Sequence, residues 1–133
     1  MPVVYEIDRE NKIIRTRCIG PVTLAEVVDH FRTLVQDPNR PECLDVLLDL
    51  SEETSVPTKE ELEEVTRALH NARSKVQFGS CAIIAVKDAL FGMARMWEVF
   101  AERYFHGTYV FRSIPEAEAW LASHRSCSTF KGD

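Results

Sequence analysis

Asp45 and Asp49 stand in the run Leu44-Asp-Val-Leu-Leu-Asp-Leu50, and Ser51, Thr54, Ser55 and Thr58 follow closely. Carboxylates beside hydroxyls are the residue types that acid–base chemistry or hydroxyl phosphorylation would use. On a strand the two aspartates share one face, so they are either a carboxylate pair or simply an outward face. Asp49 falls at the carboxyl end of a central strand, where α/β sites usually open. No other reactive set assembles on spacing. His30, His70, His106 and His124 lack ligand spacing with one another or with Cys18, Cys43, Cys81 and Cys127. There is no HExxH pair, GxSxG elbow or phosphate-cradling glycine loop. The expectation is a chain with no metal, no cofactor and no catalytic residues, hence not an enzyme.

Apolar chemistry is more plentiful. On a helical wheel from Ala89 to Phe105, Arg95, Glu98, Glu102 and Arg103 share one side, with Val99 among them. Met93, Met96, Trp97, Phe100, Ala101 and Tyr104 fill an arc of roughly 180°, beyond the ~100° a helix needs to sit on a sheet. The surplus either wraps into neighbouring elements, lines an apolar pocket or forms a homodimer face. Phe91, Met93, Met96, Trp97 and Phe100 are the residues of that pocket or dimer face, and methionines make its lining adaptable. Gly92, in the first turn, would permit close approach of a backbone or ligand.

These groups need a scaffold, and Ser80 to Val86 indicates its class. A strand that is apolar at nearly every position is covered on both faces, which points to α/β. Two strands, Val3 to Asp8 and Lys12 to Ile19, flank the turn Arg9-Glu10-Asn11. In the second, Ile14, Thr16 and Cys18 alternate with Arg15 and Arg17, leaving one face wet. Thr23 and Glu26 have capping-box spacing and open a helix whose inward face is Leu24, Val27, Val28, Phe31, Leu34 and Val35. Leu44 to Leu50 is a third strand and Ser51 to Pro57 a polar loop. Thr58 and Glu61 form a second box, opening a helix with Leu62, Val65, Leu69 and Ala72 inward. After strand four and the apolar helix come strand five, Tyr109 to Arg112, and a short helix capped by Ser113. The order β-β-α-β-α-β-α-β-α predicts a mixed five-stranded sheet with four helices. Residues 1–122 form one domain and 123–133 a flexible tail.

The 133-residue chain is large enough for a real core, and 45% hydrophobic with 28% charged residues is ordinary for a soluble globular protein. No apolar run approaches the length of a membrane span and no signal-peptide pattern opens the chain. Isolated cysteines in apolar surroundings read as core thiols in a reducing, cytoplasmic setting. Charge is uneven. From Asp45 to Glu64, eight acidic residues face Lys59 alone, a local −7 in a chain of net −5, leaving the rest near +2. Such a face repels nucleic-acid backbones and suits a partner protein with a basic surface.

The layout, with LDVLLDLSEE after the first crossover and FGMARMWEVFAERYF…VFRSIPEAEAWL at the end, resembles the STAS-like family. That family includes the bacterial anti-anti-sigma factors and a branch likened in fold to CRAL-TRIO lipid carriers. The resemblance spans roughly Val3 to Ala122. It implies a non-enzymatic binding or regulatory module that engages a partner protein, here through the acidic loop and helix 51–64. The residues concerned are Asp49, Ser51, Thr54, Ser55, Thr58, Glu60, Glu61 and Glu64. The alternative is a carrier or sensor of a small apolar, lipid-like ligand beside helix 89–105. Phospho-regulated members carry a target serine in an Asp-Ser-Ser-Gly run after the third strand. This chain has Asp-Leu-Ser-Glu-Glu instead, and its glutamates would repel a phosphate of about −1.5 to −2 charges.

Overall fold

The computed structural model describes residues 2–127. Five strands form one sheet in the order of the chain: β1 (Val3–Asp8), β2 (Ile13–Gly20), β3 (Cys43–Glu53), β4 (Gln77–Ile84) and β5 (Gly107–Phe111). β1 and β2 are an antiparallel hairpin, and every later pair is parallel. Each parallel pair is joined by a helical crossover: α1 (Leu24–Gln36), α2 (Lys59–Ala72) and α3 (Asp88–Phe100). α4 (Ile114–Ser123) closes the described chain. The expected mixed five-stranded α/β sheet with four helices is therefore present. Both capping boxes also form, with Thr23 Oγ1 accepting from Glu26 N and Thr58 Oγ1 from Glu61 N.

The sheet has a core on each face. On one, Ile14, Leu44, Phe78, Cys81 and Ile83 meet α1, α2 and α3; on the other, Ile13, Leu47, Ala82 and Ile84 meet Ala117 and Leu121 of α4. Burial on both sides is why β4 reads as an unbroken apolar run. The wet face expected of β2 is partly claimed by α4, since Arg15 Nη2 bonds Glu118 Oε1 at 3.1 Å. Strict alternation breaks twice. Between Arg17 and Ile19 of β2, β3 runs from Asp49 to Glu52, and between Leu44 and Val46 of β3, β4 runs from Phe78 to Cys81. Each step carries one extra residue, a bulge, and a bulge reverses which face later side chains take.

Several expectations are corrected. β3 continues through Ser51, Glu52 and Glu53, residues read as loop, because Ile19 and Gly20 at the far end of β2 pair with Glu52 and Glu53. The apolar helix stops at Phe100 and a separate 3₁₀ turn follows at Glu102–Tyr104. That break lets Phe105 fold back onto Trp97 and Phe78, with ring centroids 5.8 and 5.7 Å apart. Gly92 is exposed and a Cβ there would meet nothing within 4 Å, so no close approach explains it. Cys18 and Cys81 are buried thiols, as expected of core cysteines, but Cys43 and Cys127 are joined by a disulfide.

The expected tail also begins too early. Ser123 ends α4, and the segment to Cys127 is docked, with Cys127 fully buried. Residues 128–133 of that tail lie outside the described residues. The dock is Asp45, fully buried, whose carboxylate accepts from Ser80 N (2.8 Å), Ser126 N (3.1 Å) and Cys127 N (3.2 Å). Ser80 Oγ adds a bond to His124 O at 2.5 Å. The expectation of Asp45 and Asp49 as a carboxylate pair or an outward strand face fails here: Asp45 is internal, while half-buried Asp49 accepts from Ser51 N at 2.9 Å beside the β3 bulge. Gly79 makes room for the dock, since a Cβ there would overlap Asp45 Oδ1 and lie 2.9 Å from Cys127 Sγ. Gly79→Ala should therefore cost about 2 kcal/mol or more. Gly92→Ala, in an open helical position, should stabilise by roughly 0.5–1 kcal/mol. Urea unfolding of the two variants checks both signs.

Candidate functional site

The central strand of a covered sheet should be sealed, and β3 is not. Val46, Leu48 and Leu50 point at the three crossover helices yet stay only half-buried. The helix above them matches: Leu34 is the one fully buried residue of α1, and Val27 and Phe31 are half-buried although they carry its apolar stripe. Between these layers lies a cavity of about 170 Å³, lined by β2, β3 and β4 below and by α1, α2 and α3 above. α1 and α2 stand on each other rather than pressing into the sheet, so their inward faces roof the space. The lining is almost wholly apolar, with Leu62, Val65 and Leu69 from α2 and Leu90, Met93, Ala94 and Trp97 from α3. Among the lining residues Thr23 alone is exposed, which places the mouth at the start of α1.

The polar groups of the lining are few and converge near that end. By strict alternation Glu53 would share the face of Asp45 and Asp49. The β3 bulge after Asp49 turns it to the cavity side instead, where only 7% of it is exposed. Ser55 Oγ donates to Glu53 Oε2 at 2.8 Å, and the Cys18 thiol also donates to this carboxyl. Burial raises the Glu53 pKa above the ordinary carboxyl value, with the two donors opposing it. Burial, then the charge of Glu53, pushes the Cys18 thiol up to about 12, which makes it an inert hydrogen-bond donor rather than a nucleophile. On the far side Trp97 Nε1 is buried without a hydrogen-bond partner among the described residues.

The residues singled out from sequence separate into three groups. Met93 and Trp97 line the cavity, whereas Phe91, Met96 and Phe100 do not. Phe91 lies under the Arg112 guanidinium at 4.2 Å, Phe100 packs against the core edge, and Met96 is 39% exposed beside a more open Val99. The expected single pocket or dimer face is thus divided among cavity, core edge and surface. In the acidic segment, Thr54, Glu60 and Glu64 are exposed, with Glu64 paired to Arg67. Ser51 is half-buried within β3, Ser55 is bonded to Glu53 and receives Val22 N at 3.0 Å, and Thr58 is a helix cap. Glu61 accepts from Thr58 N at 2.9 Å and reaches the cavity lining, away from Glu60 and Glu64. Glu53, Cys18 and Thr16 were missed. The alternation of Thr16 and Cys18 with Arg15 and Arg17 was the available signal for two of them; nothing local marks the bulge that aims Glu53. No group of three or more His, Cys, Asp or Glu able to hold a metal occurs among the described residues, and none of their helices is long and apolar enough to cross a membrane.

His30 also lines the cavity, its ring edge-on to Tyr5 at 5.3 Å, and desolvation lowers its pKa to about 4. The folded protein then binds fewer protons than the unfolded chain between about 4 and 6.5. Stability from neutral His30 is complete above that window and lost as pH falls through it. Glu53 acts oppositely: its raised pKa costs stability as pH rises past the ordinary carboxyl range. In His30→Phe, the loss of unfolding free energy between pH 7 and 4.5 should shrink by about 2 kcal/mol. Chemical denaturation at both pH values measures it.

No family model and no curated protein matches the chain. Among solved structures it is similar to an uncharacterised protein of the DUF3478 family from Shewanella loihica PV-4, described as having a SpoIIAA-like fold. The match has 14% identity, a TM-score of 0.56, and covers 90% of this chain and 91% of that one. Likeness at this identity is likeness of fold. The chain has a SpoIIAA-like, that is STAS-like, α/β fold.

Proposed function

We propose that this is a non-enzymatic binding module that carries or senses a small apolar molecule in the cavity beneath α1 and α2. The observation behind the reading is the unsealed centre of the sheet, where Val46, Leu48 and Leu50 face about 170 Å³ of space. Protein interiors are close-packed, and cavities destabilise by about 24 cal/mol per Å³. An empty space of this size would then cost up to about 4 kcal/mol, less where it meets solvent at its mouth. An apolar occupant would recover part of that, and a ligand that seals α1 and α2 onto the sheet would alter the surface they present. The apolar ligand therefore lies further under α1 and α2 than a site along α3 alone would place it. Benzene should raise the melting temperature of the wild type. Val65→Phe, which fills the lining, should raise it without ligand and abolish the benzene shift. A wild type indifferent to benzene and a destabilised Val65→Phe would count against the cavity.

The outer surface of α2 supports a second reading, engagement of a partner protein with a basic surface. Glu60 and Glu64 are exposed, and Glu52 at the end of β3 is exposed too, paired with Arg17 at 2.9 Å. Contacts of this kind are screened within about 10 Å at 0.1 M salt. A captured partner should be released on raising salt toward 1 M and lost in Glu60→Lys/Glu64→Lys. Capture that survives both changes would remove the acidic surface from the interaction.

A further inference from the structure

The cavity is small and has one polar end, and together these restrict its occupant more narrowly than "apolar". A 150 Å³ cavity lined by Leu, Ile and Phe stays dry and holds one benzene. At about 170 Å³, the present one has room for a single ring and one or two further atoms. A long acyl chain does not fit that volume without moving α1 or α2. Charge points the same way, because Glu53 and Glu61 both line the cavity and would repel a carboxylate or phosphate headgroup.

At the polar end Glu53 is more than nine-tenths buried and lines the cavity. Its carboxyl has about four acceptor sites, of which Ser55 and Cys18 use two. The hydroxyl protons nearby are already directed: the single proton of Ser55 Oγ lies between Glu53 Oε2 at 2.8 Å and Val22 O at 3.3 Å, and Thr23 Oγ1 donates to Glu26 Oε1 at 3.0 Å. What this end offers a ligand is an acceptor. The bulge in β3 is what brings it there, in a strand whose other cavity-lining residues are Val46, Leu48 and Leu50.

We propose that the cavity selects a compact, uncharged, single-ring molecule bearing one hydrogen-bond donor, of the kind represented by phenol, and that Glu53 is the residue that reads the donor. This rests on the proposed binding function and deepens it. A buried acceptor matched by a ligand donor favours that ligand over its plain hydrocarbon analogue, here by about tenfold. Glu53→Leu removes the acceptor while Ser55 keeps Val22 O as a partner.

Titration calorimetry of the full chain with phenol, benzene and decanoic acid tests the proposal. The expected result is phenol about tenfold tighter than benzene, with decanoic acid not displacing it. In Glu53→Leu, phenol should fall to the level of benzene while benzene changes by less than about twofold. If Glu53→Leu does not fold, the phenol-to-benzene ratio of the wild type decides. Equal affinities for phenol and benzene would overturn the role of Glu53 and leave the binding function standing. Tight decanoic acid binding that displaces phenol would overturn the size limit. Absence of binding by all three would overturn this inference and the binding function together.

Discussion

A strand covered on both faces must find partners for every polar group it buries, and β3 buries two carboxylates. Asp45, on the α4 side, is met by three backbone N–H groups drawn from β4 and the chain end. Glu53, on the cavity side, is met by Ser55 and Cys18. An unpartnered charge in either place would cost several kcal/mol, so the surrounding elements are arranged around these two groups. Gly79, Ser80 and Cys127 all lie against the first, and the second lines the cavity.

The two carboxylates do different things with their surroundings. Asp45 accepts from three backbone N–H groups and ties β3, β4 and the chain after α4 into one unit, which the disulfide between Cys43 and Cys127 closes covalently. The bridge spans 84 residues, a loop long enough that crosslinking restricts the unfolded chain by up to about 4.5 kcal/mol in the chain-entropy view. Glu53 is only partly satisfied and sits where a cavity begins. The α4 side of the sheet is thus closed and the side under α1 and α2 is open. In the proposed binding role that asymmetry would be of use, because the tight face holds the strands in register while the loose face leaves room for an occupant.

The helix α3 illustrates how an apolar surplus is divided in three dimensions. Its wheel promised one continuous greasy arc. In the fold, Trp97 and Met93 turn to the cavity, Phe100 and Phe105 go to the core edge, and Met96 and Val99 remain at the surface. Helical spacing separates the residues within α3, and the break before the 3₁₀ turn at Glu102–Tyr104 lets Phe105 fold back onto Trp97. Propensity alone does not signal such a break, since Ala101 is a good helix former and the reason lies in where Phe105 must pack.

Periodicity and capping determined the element order, both capping boxes and the double coverage of β4, because those signals are local and repeat within a few residues. The apolar stripes of α1 and α2 were equally legible, but not whether they would meet the sheet or stand off it. That was decided by tertiary packing, as were the inward turn of Glu53, the burial of Asp45 and the pairing of Cys43 with Cys127. A single extra residue in β3 reverses the facing of everything after it, and a contact across 84 positions leaves no trace in either window. The class of this protein is therefore written along the chain, while its candidate site exists only where the register shift and the helix spacing coincide.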